Sequence, residues 1–395
     1  MEAYAYDWLQ LIVRWVHLVT GVAWIGASFY FVWLDNSLLA PRRREDADEG
    51  VGGELWAVHG GGFYRVQKFR VAPQVLPEPL HWFKWEAYST WISGFILFVL
   101  VYWLQGDRFL VDRSVADIPV ATAVMISAAL LVAGWLFYDQ LCKRLGFDHE
   151  ATLAIALIVF FALVAFGLAH RFGGRAMYLQ VGAMLGTIMV ANVRFVIIPG
   201  QRNMVRAKVE GRPPDPVEGL RGKQRSVHNN YFTLPVLLTM ISPHYPLLYA
   251  QRHAWLVLIA ALLLAAWVRH FFNLRHRGRT VWAIPLSGAV GVLLLAVAIA
   301  PPRAPASEVP RYEEVRNIVN ARCVPCHAAA PTQPGFAFAP KDVRLDTREG
   351  IRMHLAAIAQ QAVFTQAMPL GNLTGMTDME RLRLGAWISA GAPER

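Results

Sequence analysis

Near the C-terminal end of the chain, "RCVPCHAAAP" (322–331) sets Cys323, Cys326 and His327 at C-x-x-C-H spacing. That spacing suits covalent attachment of a c-type haem. Two thiols add across the two vinyl groups of one porphyrin, and the adjoining histidine reaches the iron as an axial ligand. C-x-x-C alone also fits a redox dithiol or half of a zinc site. The appended histidine and the lack of a second cysteine pair argue against both. The third cysteine, Cys142, stands alone at the end of an apolar run and is read as a spectator.

The flanks of the motif predict two helices. In "YEEVRNIVNARC", Tyr312, Val315, Ile318 and Val319 recur at helical spacing. "TDMERLRLGAWISAG" opens on Thr377 with Glu380 three residues later, a capping box, and carries Leu384, Trp387 and Ile388 as one apolar stripe. The pair resembles the N- and C-terminal helices that cross beside the haem in class I cytochromes c. Met368 in "QAMPLGNLT" resembles that family's axial methionine, with Met353, Met376 and Met379 as competitors. A Met/His pair raises the iron's potential, which suits an electron carrier rather than an oxygen activator.

A second set of chemically capable residues is scattered through apolar sequence. In "RWVHLVTGVAWIGASFYFVWLD", Arg14, Gly21, Ser28 and Asp35 recur every seven residues, with His17 and Trp24 beside them. Ionisable groups inside a bilayer are costly and usually face the bundle interior; for Arg14, snorkelling to the outer surface is the plainer reading. "GAMLGTIMVANVRFVIIPG" carries Gly182 and Gly186 as a G-x-x-x-G packing face, with Asn192 and Arg194 beyond it. "SVHNNYFTLPVLLTMISPHYP" collects His228, Asn229, Asn230, Tyr231 and Thr233 ahead of Pro235, and a broken helix tolerates freed backbone groups where it lines a cavity.

The elements that must hold these residues follow from composition. The 395 residues are 55% hydrophobic and only 17% charged, against about 25% charged in a typical soluble domain. Apolar runs fall at 8–34, 85–104, 118–138, 151–169, 177–198, 229–242, 254–272 and 283–300. They predict eight membrane spans, or seven if the short, Pro-containing 229–242 does not cross. With the N-terminus outside, Lys and Arg number seven in 42–84, two in 143–144, seven in 202–225 and four in 269–279, all inner. The outer loops hold two in 108–113, two in 171–175 and one at 252. This asymmetry obeys the positive-inside rule and accounts for much of the +10 net charge without nucleic acid. An even span count returns the tail to the outer side, where c-type haems are attached in bacteria. Glu2 and Asp7 precede the first span, which is too long for the core of a cleaved signal.

"ELWAVHGGGFYRVQKFRV" predicts a small inner-face hairpin. The expected organisation is an all-α polytopic membrane domain over 1–300, a Pro/Ala linker over 301–310 and an all-α class I cytochrome c domain over 311–395.

"YDWLQLIVRWVHLVTGVAWIGASFYFVWLD", "WAVHGGGFYRVQK" and "VHNNYFTLPVLLTMIS", followed by this tail, together resemble the PuuD-type bacterial membrane urate oxidases (urate hydroxylases) over essentially the full length. The resemblance implies oxidation of urate to 5-hydroxyisourate in the bacterial inner membrane. Electrons would pass to the tail haem and on to a respiratory acceptor, a soluble cytochrome c or a terminal oxidase. Urate is a planar anion edged with amide-like donors and acceptors. Arginine offers such a ligand a planar fork, asparagine reads paired edges, and an aromatic ring stacks on its face. The expected catalytic residues are Arg194, His228 and Asn229, and the expected substrate-binding residues are Asn192, Asn230, Tyr231, Thr233 and Asp35.

Urate gives up two electrons and one haem accepts one at a time. "RWVHLVTGVAWIG" distantly resembles the first helix of HemJ-type membrane protoporphyrinogen oxidases, where the matching histidine holds haem b. This makes His17 a candidate for a second haem, with His170, His244 or His253 as partners. No G-x-G-x-x-G flavin or nucleotide fingerprint is present. Two rivals remain at this point: a cytochrome whose spans serve only as anchor, and a redox-linked transporter. Oxidation of another small heterocycle or of a quinol is the nearer alternative.

Overall fold

The computed structural model describes residues 2–251, 253–300 and 309–394. Most of the predicted linker, 301–310, lies outside the described residues. The fold is mostly helical with one two-stranded sheet. Its principal helices are α1 (Glu2–Ser37), α2 (Trp85–Trp103), α3 (Val120–Leu145), α4 (Glu150–Ala169), α5 (Gly174–Val209), α6 (Pro216–Ile241), α7 (Ala254–His276), α8 (Ala283–Ala298), α9 (Tyr312–Arg322) and α10 (Asp378–Ser389).

Six of these, α1 to α5 and α7, are long and apolar enough to cross a membrane, which is compatible with a multi-pass membrane protein. The other two expected spans differ for separate reasons. α6 has 26 residues, but its first half, "PVEGLRGKQR", is strongly polar. α8 is apolar but has 16 residues, short of the roughly 20 that a bilayer demands.

α5 is the axis of the bundle, buried on nearly every side from Ala176 to Asn192. α1 is its opposite, with Trp8, Leu11, Trp15, Leu18 and Val22 exposed, as a surface facing lipid requires. Gly182 is where α6 crosses α5, because a Cβ there would collide with Thr239 Oγ1. Gly186 faces open space, so only half of the G-x-x-x-G expectation is used in packing. α6 starts on Pro216, with the Asp215 carboxylate accepting from Val217 N at 2.9 Å. Both α2 and α5 contain one π-helical turn, Val99–Trp103 and Val193–Ile197.

The predicted hairpin is present as β1 (Val51–His59) and β2 (Gly62–Phe69), pairing Val58 with Phe63. Gly60 and Gly61 both have positive φ, the two-residue turn that matches strand twist. Arg65 bridges Glu54 and Asp46, and its hydrogen bonds hold both carboxyls below the usual carboxylate range.

The tail has its own core. Tyr312, Val315, Ile318 and Val319 of α9 pack with Leu384 and Trp387 of α10, the pair of helices the spacing predicts. The capping box is formed, with Thr377 Oγ1 accepting from Glu380 N at 3.2 Å and Glu380 Oε2 accepting from Thr377 N at 2.7 Å. The tail meets the bundle at the loop between α2 and α3. Arg108 donates to Pro334 O at 3.4 Å and stacks over Phe336, while Gly371 approaches the Arg108 carbonyl. This is the end of the bundle where α4 and α6 finish and α5 and α7 begin.

Candidate functional site

In the tail, α9 runs directly into the cysteine motif. Cys326 N and His327 N both donate to Cys323 O, at 3.1 and 2.9 Å, so the three residues share one tight turn. His327 Nδ1 lies 2.9 Å from Val343 O. Donation to that carbonyl puts the proton on Nδ1 and leaves Nε2 as the free ligand nitrogen, the usual arrangement behind a metal-bound histidine. Both cysteines are free. Burial pushes the Cys323 thiol up to about 12 and raises that of Cys326. A redox dithiol needs the reverse shift, whereas a thioether bond to a porphyrin needs none.

The methionine competitors separate by position. Met353 and Met379 lie on the surface and Met376 is sunk in the tail core, while Met368 is half-buried against that core. Its loop is held from both sides: Met368 N donates to Gln361 O at 2.9 Å, and buried Arg381 Nη1 donates 2.7 Å bonds to Met368 O and Ala362 O. These residues fit a covalently bound haem with His and Met axial ligands. Among the described residues, no group of three or more His, Cys, Asp or Glu could hold a metal ion; an axial His/Met pair has a different pattern.

His17 on α1 turns toward α2, with Nδ1 at 3.0 Å from Thr90 O and 3.2 Å from Ser93 Oγ. This leaves Nε2 available, as a haem ligand requires. Among the described residues, none of the partners expected for it hydrogen-bonds to His17. His170 bonds Phe166 O of its own helix, and His244 and His253 are exposed. His17 thus fits one axial ligand of a second haem.

The polar residues of the bundle form two groups, where the middle of α6 passes the middle of α5 and the last turns of α3 and α7. α6 advances about 100° per residue, so adjacent members of "HNNY" serve different neighbours. His228 and Asn229 face α3 and α5. Tyr138 OH lies 2.7 Å from His228 Nδ1, Asn192 Nδ2 donates to Asn229 Oδ1 at 2.9 Å and to Tyr138 OH at 3.2 Å, and Asn229 Nδ2 donates to Met189 O at 2.9 Å. Arg225 lies 2.8 Å from Asp139 Oδ1, both almost wholly buried, and donates to Asn192 Oδ1 at 3.3 Å. His228 Nε2 meets Glu150 Oε2 at 3.1 Å. Among the described residues, no buried side-chain nitrogen or oxygen of this network lacks a partner.

Asn230 and Tyr231 face α7 instead. Arg269 Nε donates to Asn230 Oδ1 at 2.9 Å, and its guanidinium lies 3.9 Å from the centre of the Phe29 ring on α1. Tyr231 OH is 2.7 Å from His270 Nδ1. Here the hydrogen bonds are incomplete. Asn230 Nδ2, Arg269 Nη2, Asn273 Oδ1 and His276 Nδ1 are all buried and without a partner among the described residues. Each unmet group costs about 1–3 kcal/mol, more when charged, so a water or ligand is to be expected there.

The remaining expected site residues lie elsewhere. Arg194 sits in the π-helical turn of α5, exposed, with its guanidinium over Phe195. Two residues on from Asn192, it lies about 200° around the helix and so off the face that holds Asn192. Asp35 pairs with Lys68 of the hairpin near the protein surface. Thr233 spends its hydroxyl on Asn230 O of its own helix, at 2.6 Å. Arg14 is exposed and donates to Gln10 Oε1 at 3.4 Å. Cys142 is buried near His228 and is part of the bundle core.

Sequence reasoning missed Arg269, Asn273 and His276 by treating this stretch as a basic inner loop. The available signal was their spacing, i, i+4 and i+7, which sets them on one helical face.

A cavity of about 470 Å³ separates the tail from the bundle, lined in part by Arg108, Asp112, Arg175, Asp378 and Arg381. It is at the opposite end of the bundle from both polar groups.

Compared with known proteins, the chain matches no curated protein and no solved structure. A family model described as urate oxidase N-terminal matches residues 3–300, the whole helical bundle with its two polar groups, and on that match the chain belongs to this family.

Proposed function

We propose that the protein is a membrane urate oxidase whose tail is a class I cytochrome c. The bundle binds urate, and urate with one water becomes 5-hydroxyisourate, releasing two electrons and two protons. Cys323, Cys326, His327 and Met368 would hold a haem c, which would supply a one-electron acceptor between the bundle and a respiratory partner.

The bundle lies in the bacterial inner membrane as eight spans, with both termini and the tail on the periplasmic side. α6 and α8 complete the spans despite the polar start of one and the shortness of the other. The distribution of Lys and Arg supports this orientation.

The observation that carries the reading is the joining, in one chain, of a urate-oxidase-family bundle to a C-x-x-C-H turn whose histidine is tied through Nδ1 to Val343 O. Around it, the protein fixes the iron ligands. Val343 O orients the His327 ring, and Arg381 holds the Met368 loop.

An anaerobic optical spectrum of the purified protein tests this. Urate alone should convert the oxidised c-type spectrum to the reduced one. If dithionite reduces the haem and urate does not, the reading fails. A pyridine haemochrome assay decides the second haem at His17, since a purely c-type signal with no extractable haem excludes it.

A further inference from the structure

The unsatisfied polar group between α1, α6 and α7 is too specific in composition to be filler. Its free atoms are two donors, Asn230 Nδ2 and Arg269 Nη2, one acceptor, Asn273 Oδ1, and His276 Nδ1, which can take either role. Asn230 and Arg269 are 0% and 3% exposed, and Asn273 is 7% exposed. The arginine is already oriented: Phe29 supports the face of the guanidinium and Asn230 Oδ1 holds its Nε. No carboxylate is hydrogen-bonded or ion-paired to it among the described residues, so its charge is unanswered. This contrasts with Arg225, which is equally buried and has Asp139.

We propose that Arg269, Asn230, Asn273 and His276 form the recognition edge for the urate anion. The assignment rests on the reading that the bundle oxidises urate, and it moves the substrate from the expected Arg194 to the junction of α1, α6 and α7. The Arg269 fork answers the negative charge and one carbonyl oxygen. Asn230 Nδ2 donates to a neighbouring acceptor, and Asn273 Oδ1 accepts from a ring N–H. A planar heterocycle with alternating N–H and C=O groups meets all three demands, whereas a simple inorganic anion has no donor for Asn273. These residues bind and orient.

The test uses the full-length, haem-loaded protein in detergent, with equilibrium binding of labelled urate and urate-dependent reduction of the haem measured side by side. Arg269→Gln should weaken urate binding about 10- to 100-fold, the loss of one charge-assisted hydrogen bond. Asn273→Asp, which keeps the shape but sets a negative charge against the anion, should weaken it at least as much. Both should retain the dithionite-reduced c-type spectrum. If Arg269→Gln fails to fold, Asn273→Asp decides alone.

The outcomes separate the two proposals. Wild-type protein that neither binds urate nor is reduced by it overturns the functional reading. Wild-type protein that does both, with folded variants that bind urate as tightly, overturns this assignment and leaves the four atoms to buried water.

Discussion

Two arginines lie buried at the same end of the bundle in opposite circumstances. Arg225 has Asp139 at 2.8 Å and sits in a network that ties α3, α4, α5 and α6 together with every buried group paired. Arg269 has one asparagine oxygen, a supporting ring and no counter-charge. In a low-dielectric interior, a completed network fixes helix positions, while an incomplete one marks a place where something else must arrive. The difference teaches that buried polarity alone does not identify a site in this protein. What distinguishes the two groups is the count of bonds left unmade.

That contrast can be broken in order of expected effect. Removing the Asp139 carboxylate leaves Arg225 buried without its counter-ion. Asp139→Ala should therefore cost roughly 3–5 kcal/mol of stability, read as a fall in the thermal unfolding midpoint of the detergent-solubilised protein. A loss under about 1 kcal/mol would mean that this network is not what holds the four helices. Arg269→Met is the mirror experiment. Because the arginine has no partner charge to strand, its replacement by an apolar side chain should leave urate-free stability unchanged or raise it by about 1 kcal/mol. A drop as large as that of Asp139→Ala would erase the distinction between the groups. Arg194→Gln should do least, within about 0.5 kcal/mol for stability and without effect on urate-dependent haem reduction, as for an exposed side chain away from any special contact. Abolished reduction in that variant would restore the site expected from the sequence.

Much of the scaffold could be read from residue order because its signals are local. The α10 capping box needs only Thr377 and Glu380 three apart, the hairpin turn only consecutive glycines, and the cysteine turn only its own spacing. The six apolar helices declare themselves by length and composition. The candidate site was less legible because its geometry is not local. "HNNY" looks like one cluster in sequence, yet helical rotation sends His228 and Asn229 to one set of neighbours and Asn230 and Tyr231 to another. Arg194 was expected beside Asn192, but residues two apart on a helix point to nearly opposite sides, and Arg194 is exposed where Asn192 is buried. Arg269 was counted with the inner-loop charges because a basic residue near a helix end looks the same whether it meets solvent or Phe29. Asp35 shared a seven-residue stripe with Gly21 and Ser28, but the hairpin's Lys68 claims it.

The docking of the tail at the Arg108 loop has an electrical consequence. From Ala254, at that end, to Arg269 is fifteen residues of helix, or about 22 Å. In the proposed orientation, charge withdrawn beside Arg269 and delivered to the tail would cross most of the bilayer from the cytoplasmic side outward. An inside-negative membrane voltage then assists departure by up to about 2.3 kcal/mol per electron for each 100 mV. The respiring cell would thus help empty the site, at some expense of its own polarisation, and an ionophore that collapses the voltage across sealed vesicles should slow urate turnover.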